Sequence, residues 1–410
     1  MASSSFVAGE TACPTPAKPA ALQTPKRRLL DMWIGLRIFT VAFAILCATI
    51  RPLTPREAAI RMWPPSAPWL AWFERVVFAP WERWDAKLYV RIVASGYRGD
   101  DFSTTFHPLL PWLARPLTAI VGQPIVALWI VASVFSALAV LAIYDLARLD
   151  LSEEQSELAC RLFLAFPLAA ILFFPYTESL WIACAAVCLL SARRGQWWLA
   201  GIAAGAATLT RQQGLFLIVP MAWELARAWN RNWRAWVAVA MAPAAYGGWI
   251  LYRGFGLGQA LHPDFSSVHG LLYTTVLSPD ASKVVPVQAM LWPTDALWRA
   301  ISLVLKAPTM NNVVDLSLAG MFLIMTALAW GHLRPSYRAF VVAIVLASFA
   351  YYTGPEKPYM GLPRHLLLAF PVFIGAAPVF APGKRRHVAA LFFPCLIFLV
   401  VAYVLEAWVP

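Results

Sequence analysis

Long apolar runs, separated by short stretches carrying arginine or lysine, make up most of the chain. A bilayer core needs about 20 consecutive apolar residues per helix. By that measure the runs predict spans near 30–50, 124–146, 158–175, 178–193, 196–210, 212–229, 234–252, 315–333, 337–353, 363–380 and 387–408. The expectation is an all-α polytopic membrane protein of about 11 transmembrane helices. The runs 178–193 and 196–210 are short, and 286–306 reads either as a further span or as a helix lying in the interface.

Two long polar stretches interrupt the pattern. The first, 51–123, has its own structure. Residues 67–80 mix aromatic and aliphatic residues at helical spacing and read as an interfacial helix. Residues 84–95 read as a helix stopped by Gly96. Residues 106–120 contain Pro108, Pro111 and Pro116 and read as a second interfacial helix, or as a span. The second stretch is 253–314. Residues 1–28 are rich in Ala, Pro, Ser and Thr and end in Lys26-Arg27-Arg28, which predicts a disordered tail. The apolar run behind it is too long for a cleaved signal and reads as an anchor. The expected organisation is a tail over 1–28 and a transmembrane domain over 29–410, with 51–123 and 253–314 as its large outer loops.

Composition agrees. Of 410 residues, 60% are apolar and 13% charged, and the mean hydropathy is +0.63; soluble chains average about 25% charged residues. The 20 Trp suit a large interfacial surface. A net charge of +12 raises nucleic acid as a partner, but the basic residues sit in short loops between apolar runs, so that partner is rejected. With the N-terminus inside, the inner loops receive Lys26/Arg27/Arg28, Arg148, Arg193/Arg194, Arg227/Arg231/Arg234, Arg334/Arg338 and Lys384/Arg385/Arg386. The first outer loop breaks this rule with Arg51, Arg56, Arg61, Arg75, Arg83, Lys87, Arg91 and Arg98. Long loops translocate largely regardless of charge, and basic residues beside headgroups can hold a phosphate. Cys13, Cys47, Cys160, Cys184, Cys188 and Cys395 contain no CxxC pair and read as small apolar residues.

The same topology puts Asp85, His107, Glu178, Arg211, His262, Asp264, His269, Lys357, Arg364 and His365 on the outer face. Asp85, next to Trp84 at the water–lipid boundary, can take a proton from a hydroxyl; the plainer reading is an ion pair with Lys87 or Arg83. Glu178 follows Pro175-Tyr176-Thr177, where a helix N-terminus favours a carboxylate. It either orients a substrate or pairs with Arg211. Arg211 lies between two apolar stretches, where an unpaired arginine costs about 2.5–3.5 kcal/mol, and its guanidinium suits a phosphate. Arg364 begins a late helix against the dipole, which hints at an anionic ligand; snorkelling is the alternative. His107, His262 and His269 read as acid–base groups, sugar contacts or neither. No spacing supports a metal site.

The run Arg83-Trp84-Asp85-Ala86, with Tyr89, Ile92 and Gly96-Tyr97, followed by Phe106, Pro108-Leu109 and Pro111, resembles the first-loop signature of the glycosylphosphatidylinositol mannosyltransferase II (PIG-V-type) family. Pro175-Tyr176-Thr177-Glu178-Ser179-Leu180, Leu209-Thr210-Arg211-Gln212-Gln213-Gly214, and Pro363-Arg364-His365-Leu366 with Phe370-Pro371 are similar to later motifs of the same family, in the same order over roughly 30–380. The resemblance implies a GT-C bundle, an inverting glycosyltransferase that takes sugar from a polyprenyl phosphate. On that carry-over Asp85 matches the catalytic base, and Trp84, Tyr89, His107, Glu178, Arg211, Arg364 and His365 are substrate-binding candidates. His107 departs from the family's usual aromatic residue, and the loops are short, which opens the acceptor to another glycolipid, an envelope glycan or a protein and points to a bacterial homologue.

The leading expectation is therefore transfer of mannose from polyprenyl-phosphate-mannose to an acceptor hydroxyl; the alternative within the same fold is another polyprenyl-phosphate sugar, such as glucose or arabinose, since no residue names the sugar. It needs no cofactor, and its partners are the lipid-linked donor, a glycolipid or glycan acceptor and membrane lipids. The expected place is a bacterial inner membrane, with the N-terminus cytoplasmic and the site outside. A lipid-linked-sugar transporter would need polar residues near mid-membrane, and a structural subunit would tolerate loss of Asp85.

Overall fold

In this computed structural model the described residues are 24–51, 71–229, 232–259, 289–380 and 385–408. His262, Asp264, His269 and Cys13 lie outside them. So do residues 1–23 of the expected tail and 67–70 of the first expected interfacial helix.

Helix α1 runs Pro25–Ile50. Thr24 caps it by accepting the Arg27 amide at 3.4 Å, and Pro25 at the first position has no amide to leave unpaired. The basic cluster Lys26–Arg28 is thus the first turn of a helix, and the tail expected to reach residue 28 ends earlier. Residues Ala71–Trp81 form a chain of short turns rather than the regular helix expected there. Next come α2 (Asp85–Ser95), stopped at Gly96, and α3 (Leu109–Val121), both close to expectation. The apolar α4 spans Pro124–Ala147.

Helix α5 (Glu153–Ala165) starts from a reciprocal capping box between Ser152 and Gln155. It does not continue through 158–175 as a single span. At Pro167, which has no amide to donate, the chain turns by 79° into a 3-10 segment, Pro167–Phe173. Every residue of that segment is buried. Helices α6 (Glu178–Arg193) and α7 (Trp197–Thr210) pack side by side. A 3-10 turn, Gln212–Leu217, leads to α8 (Ile218–Arg227), and α9 covers Trp233–Leu251. Then follow α10 (Pro293–Lys306), α11 (Met310–Ala329) and α12 (Pro335–Ala350). A two-residue antiparallel pair joins Ala289–Met290 to Tyr351–Tyr352. The expected span 363–380 is broken: α13 is Leu362–Leu367 and α14 is Pro371–Ala376, each with a proline in its first turn. Helix α15 closes the chain over Arg385–Val404.

Among the described residues, four helical stretches are long and apolar enough to cross a bilayer: Pro25–Ile50, Pro124–Ala147, Trp233–Gly256 and Met310–His332. Counting the bent pair as one span makes five. The other apolar helices have 10–17 residues, so the figure of 11 full-length spans is not reached by length. Outward faces carry Ile38, Leu138, Ile202, Ile324 and Leu346, as lipid contact requires of an integral membrane protein.

The two ends of the bundle differ. At one end, ion pairs join Lys26 to Asp145 (2.7 Å), Arg28 to Glu157 (2.6 Å), Arg193 to Asp150 (2.7 Å) and Arg334 to Glu224 (2.8 Å). Helix α6 runs from Arg193 at this end to Glu178 at the other, roughly 24 Å at 1.5 Å per residue. The candidate chemistry lies at the Glu178 end.

Candidate active site

Four elements converge there. Arg83 and Trp84 lead into α2, which puts Asp85 in its first turn, where the dipole favours a carboxylate. Trp84 has φ 48°, a backbone conformation rare for a side chain of that size. Strain of this kind costs about 1–3 kcal/mol and persists only when the surroundings impose it. The buried segment Phe174–Thr177 leads directly into α6 and delivers Tyr176, Thr177 and Glu178. The end of α7 delivers Arg211. The turn after it lies so close to α7 that a side chain on Gly214 would meet the Thr208 amide at 2.3 Å. The short helix α13 delivers Arg364 and His365. Its cap, Gly361, has φ 84°, and a Cβ there would stand 2.9 Å from Arg364 Nε.

The charged groups form one alternating chain. Arg364 donates to Asp85 Oδ2 at 2.5 Å, and its Nε lies 3.8 Å from Glu178 Oε1. Arg211 donates to Glu178 Oε1 at 2.5 Å and to Thr177 Oγ1 at 3.0 Å. The Arg364 guanidinium also lies over the Tyr176 ring, 5.6 Å from its centre. Glu178 is fully buried, whereas the Asp85 side chain keeps 27% of its surface exposed. Two carboxylates and two guanidiniums balance in charge, yet Glu178 Oε2, Arg211 Nε and Arg364 Nε are buried without a hydrogen-bond partner among the described residues.

The structure therefore brings Asp85, Glu178, Arg211 and Arg364 together. The pairing of Glu178 with Arg211 was legible as one of two readings. The ion pair of Asp85 with Lys87 or Arg83 is not formed; both cations turn to Glu406, at 3.2 and 3.4 Å. The anionic partner hinted at by Arg364 is, in this structure, the chain's own Asp85. Tyr89, one turn after Asp85, is buried against Phe106 with ring centres 5.1 Å apart, and burial raises its phenol above the ordinary range. His365 is buried beside Tyr351, with ring centres 5.8 Å apart. Trp84 is half-buried, with its indole nitrogen unpartnered among the described residues.

His107 stands to one side. It stacks on Tyr246, 6.1 Å between centres, and its Nδ1 has no hydrogen-bond partner among the described residues. Burial pushes its imidazole down to about 3, so the ring is neutral at ordinary pH. Lys357 is exposed and makes no ion pair among the described residues. No group of three His, Cys, Asp or Glu residues comes together among the described residues in a way that could hold a metal. Cys160 and Cys188 are buried, while Cys395, expected inside an apolar run, is exposed on the outer face of α15.

Sequence reasoning missed two groups that touch this loop. Tyr403 and Glu406 come from the last turn of the chain. The lone acid in Leu405-Glu406-Ala407-Trp408 was the available signal.

One family model, described as dolichyl-phosphate-mannose-protein mannosyltransferase, matches residues 106–251, just over a third of the chain. No curated protein matches in sequence. Among solved structures, ArnT from Cupriavidus metallidurans bound to undecaprenyl phosphate is similar at 15% identity and a TM-score of 0.49, covering 88% of this chain and 64% of its own. An oligosaccharyltransferase from Archaeoglobus fulgidus, tethered to an acceptor peptide, is similar at 13% identity and a TM-score of 0.43, covering 92% of this chain and 56% of its own. The same organism's oligosaccharyltransferase AglB, in complex with an inhibitory peptide and a dolichol-phosphate, is similar at 12% identity and a TM-score of 0.41, covering 91% and 56%. The chain thus spans less than two thirds of the length of each.

Proposed function

We propose that the protein is an inverting GT-C glycosyltransferase of PIG-V-like type. It moves a sugar, mannose in the leading reading, from a polyprenyl phosphate to an acceptor hydroxyl at the outer face of a membrane. The observation that carries the proposal is the partly exposed Asp85 carboxylate sharing the Arg364 guanidinium with Glu178. The family match over 106–251, which takes in Glu178 and Arg211, supports the reaction class.

In this reading the donor phosphate binds at Arg364 and Arg211, whose guanidinium forks suit phosphate oxygens. A phosphate that takes Arg364 releases Asp85 from its ion pair, so donor binding comes before activation of the base. The acceptor hydroxyl then gives its proton to Asp85, and its oxygen forms the new bond to the anomeric carbon. The carbon–oxygen bond to phosphate breaks on the opposite face, and the phosphate leaves with the electron pair. The two arginines stabilise the charge it gains, which is usually the largest catalytic contribution. In the same reading Trp84, Tyr89 and His365 help bind the substrates, and neutral His107 offers a hydrogen bond rather than a charge.

The test uses purified protein, radiolabelled polyprenyl-phosphate-mannose and a panel of glycolipid, glycan and peptide acceptors. Wild type transfers label. Asp85→Asn keeps donor binding and loses transfer about 10²–10⁴-fold, the usual contribution of a positioned base. Equal transfer by both removes Asp85 from the mechanism. Donor movement across vesicles without transfer to any acceptor turns the assignment to a transporter.

A further inference from the structure

Helix α15 ends at Val404, and the chain turns back at Leu405–Trp408 through Glu406, which has φ 58°. This last turn lies against the loop that carries Asp85. Tyr403 Oη donates to the Trp81 carbonyl at 2.9 Å and reaches the Arg83 carbonyl at 3.5 Å. Its ring stacks on Phe174, 3.8 Å between centres. Arg83 Nε donates back to the Val404 carbonyl at 3.1 Å. The Glu406 carboxylate holds Lys87 at 3.2 Å and Arg83 at 3.4 Å. From the far side, fully buried Trp408 donates its indole N–H to Asp315 of α11 at 3.0 Å, which pins the turn to the bundle.

We propose that Tyr403 and Glu406 are positioning residues for the reaction. They hold residues 81–87 in the conformation that aims Asp85, and Glu406 keeps two flanking cations off its carboxylate. The inference rests on the reading of Asp85 as the base. Arg83 and Lys87 each stand two residues from Asp85 in sequence, and both reach Glu406 instead. The groups left around Asp85 are Arg364 in direct contact, Glu178 and Arg211 behind it, and the phenols of Tyr89, Tyr176, Tyr351 and Tyr403. The strained backbone at Trp84, next to Asp85, needs surroundings that impose it, and the turn 403–408 supplies contacts at Trp81 and Arg83 before that residue and at Lys87 after it.

The experiment compares wild type, Tyr403→Phe, Glu406→Gln and Glu406→Asp as full-length purified protein. Two readouts are the pH profile of transfer and hydrogen exchange of the 81–88 amides. In Glu406→Gln, Arg83 and Lys87 are released towards Asp85 and favour its charged form. The acidic limb of kcat/KM for the acceptor then moves to lower pH, and kcat falls about tenfold, a part of the ~10²–10⁴ that a positioned base supplies, while donor KM changes little. Glu406→Asp keeps the charge and restores the limb. Tyr403→Phe keeps the stacked ring, lowers kcat and speeds exchange at 81–88 without general loosening. Wild-type kcat, pH limb and exchange in both Glu406→Gln and Tyr403→Phe overturn the proposal, and so does a loss of transfer with uniform loosening of the whole protein. If wild type transfers no sugar at all, the reading of Asp85 fails, and exchange at 81–88 still decides whether the turn braces the loop.

Discussion

At the scale of single residues, burial decides what each charge can do. Glu178 is fully buried and Arg211 nearly so, and removing one member of such a pair leaves the other charge unpaired. Arg211→Ala is expected to cost about 3–5 kcal/mol, seen as a lower Tm in detergent, and Arg211→Ala/Glu178→Ala together to recover part of it. A double variant no more stable than the single would show that the pair is not the stabilising unit. Arg364 is as buried as Arg211 but sits on the partly open Asp85 carboxylate, so its loss should act on the donor: Arg364→Gln raises the donor KM, and Arg364→Lys recovers little because an ammonium lacks the fork. His107 carries a prediction in pH. Its folded-state value is depressed to about 3, below the unfolded one near 6.5. Above the unfolded value it has no effect; as pH falls towards 3 the unfolded chain takes up a proton that the folded one refuses, and stability is lost. Thermal melts at pH 7.5 and 5 should therefore show a smaller acid loss for His107→Phe than for wild type.

Elements matter here mostly through how they end. The six-residue α13 offers Arg364 only because Gly361 turns with φ 84° and no Cβ stands 2.9 Å from its Nε. Gly361→Ala should leave the helix content by circular dichroism unchanged and lower transfer, by displacing Arg364 from Asp85. Unchanged transfer would show that the guanidinium finds its place without this turn. Pro167 does the opposite job, stopping α5 so that Phe174–Thr177 turns inward to α6. Prolines at 167 and 371 were visible as breaks in principle, but the long apolar runs around them read as continuous spans.

Across the described residues, charged clusters gather at two ends of the bundle, the Lys26–Arg334 ion pairs at one and the candidate site with the Glu406 pairs at the other. This arrangement carries an orientation. With the Lys26–Arg334 end cytoplasmic, a membrane-impermeant thiol reagent should label Lys357→Cys on intact cells. It should label Arg148→Cys only after permeabilisation, each in a cysteine-free background; both positions are exposed. The reverse pattern would put the site in the cytoplasm.

By itself the sequence determined the helical class, the apolar runs, the helix from Asp85 to its stop at Gly96, and the identity of the charged residues that needed partners. Those features are local, since hydropathy, turn chemistry and the cost of a bare charge act over one segment. The closeness of Glu178 and Arg211 was also within reach, because they begin and follow two consecutive antiparallel helices. The partner of Asp85 was not. Arg364 is 279 residues away, and only the packing of α2, α6 and α13 decides that their ends meet. The same holds for Tyr403 and Glu406, whose contacts with the Trp81–Lys87 loop depend on where α15 docks. Burial and long-range pairing arise from the assembled bundle, so the tertiary structure alone decided which carboxylate stays partly open and which guanidinium it shares.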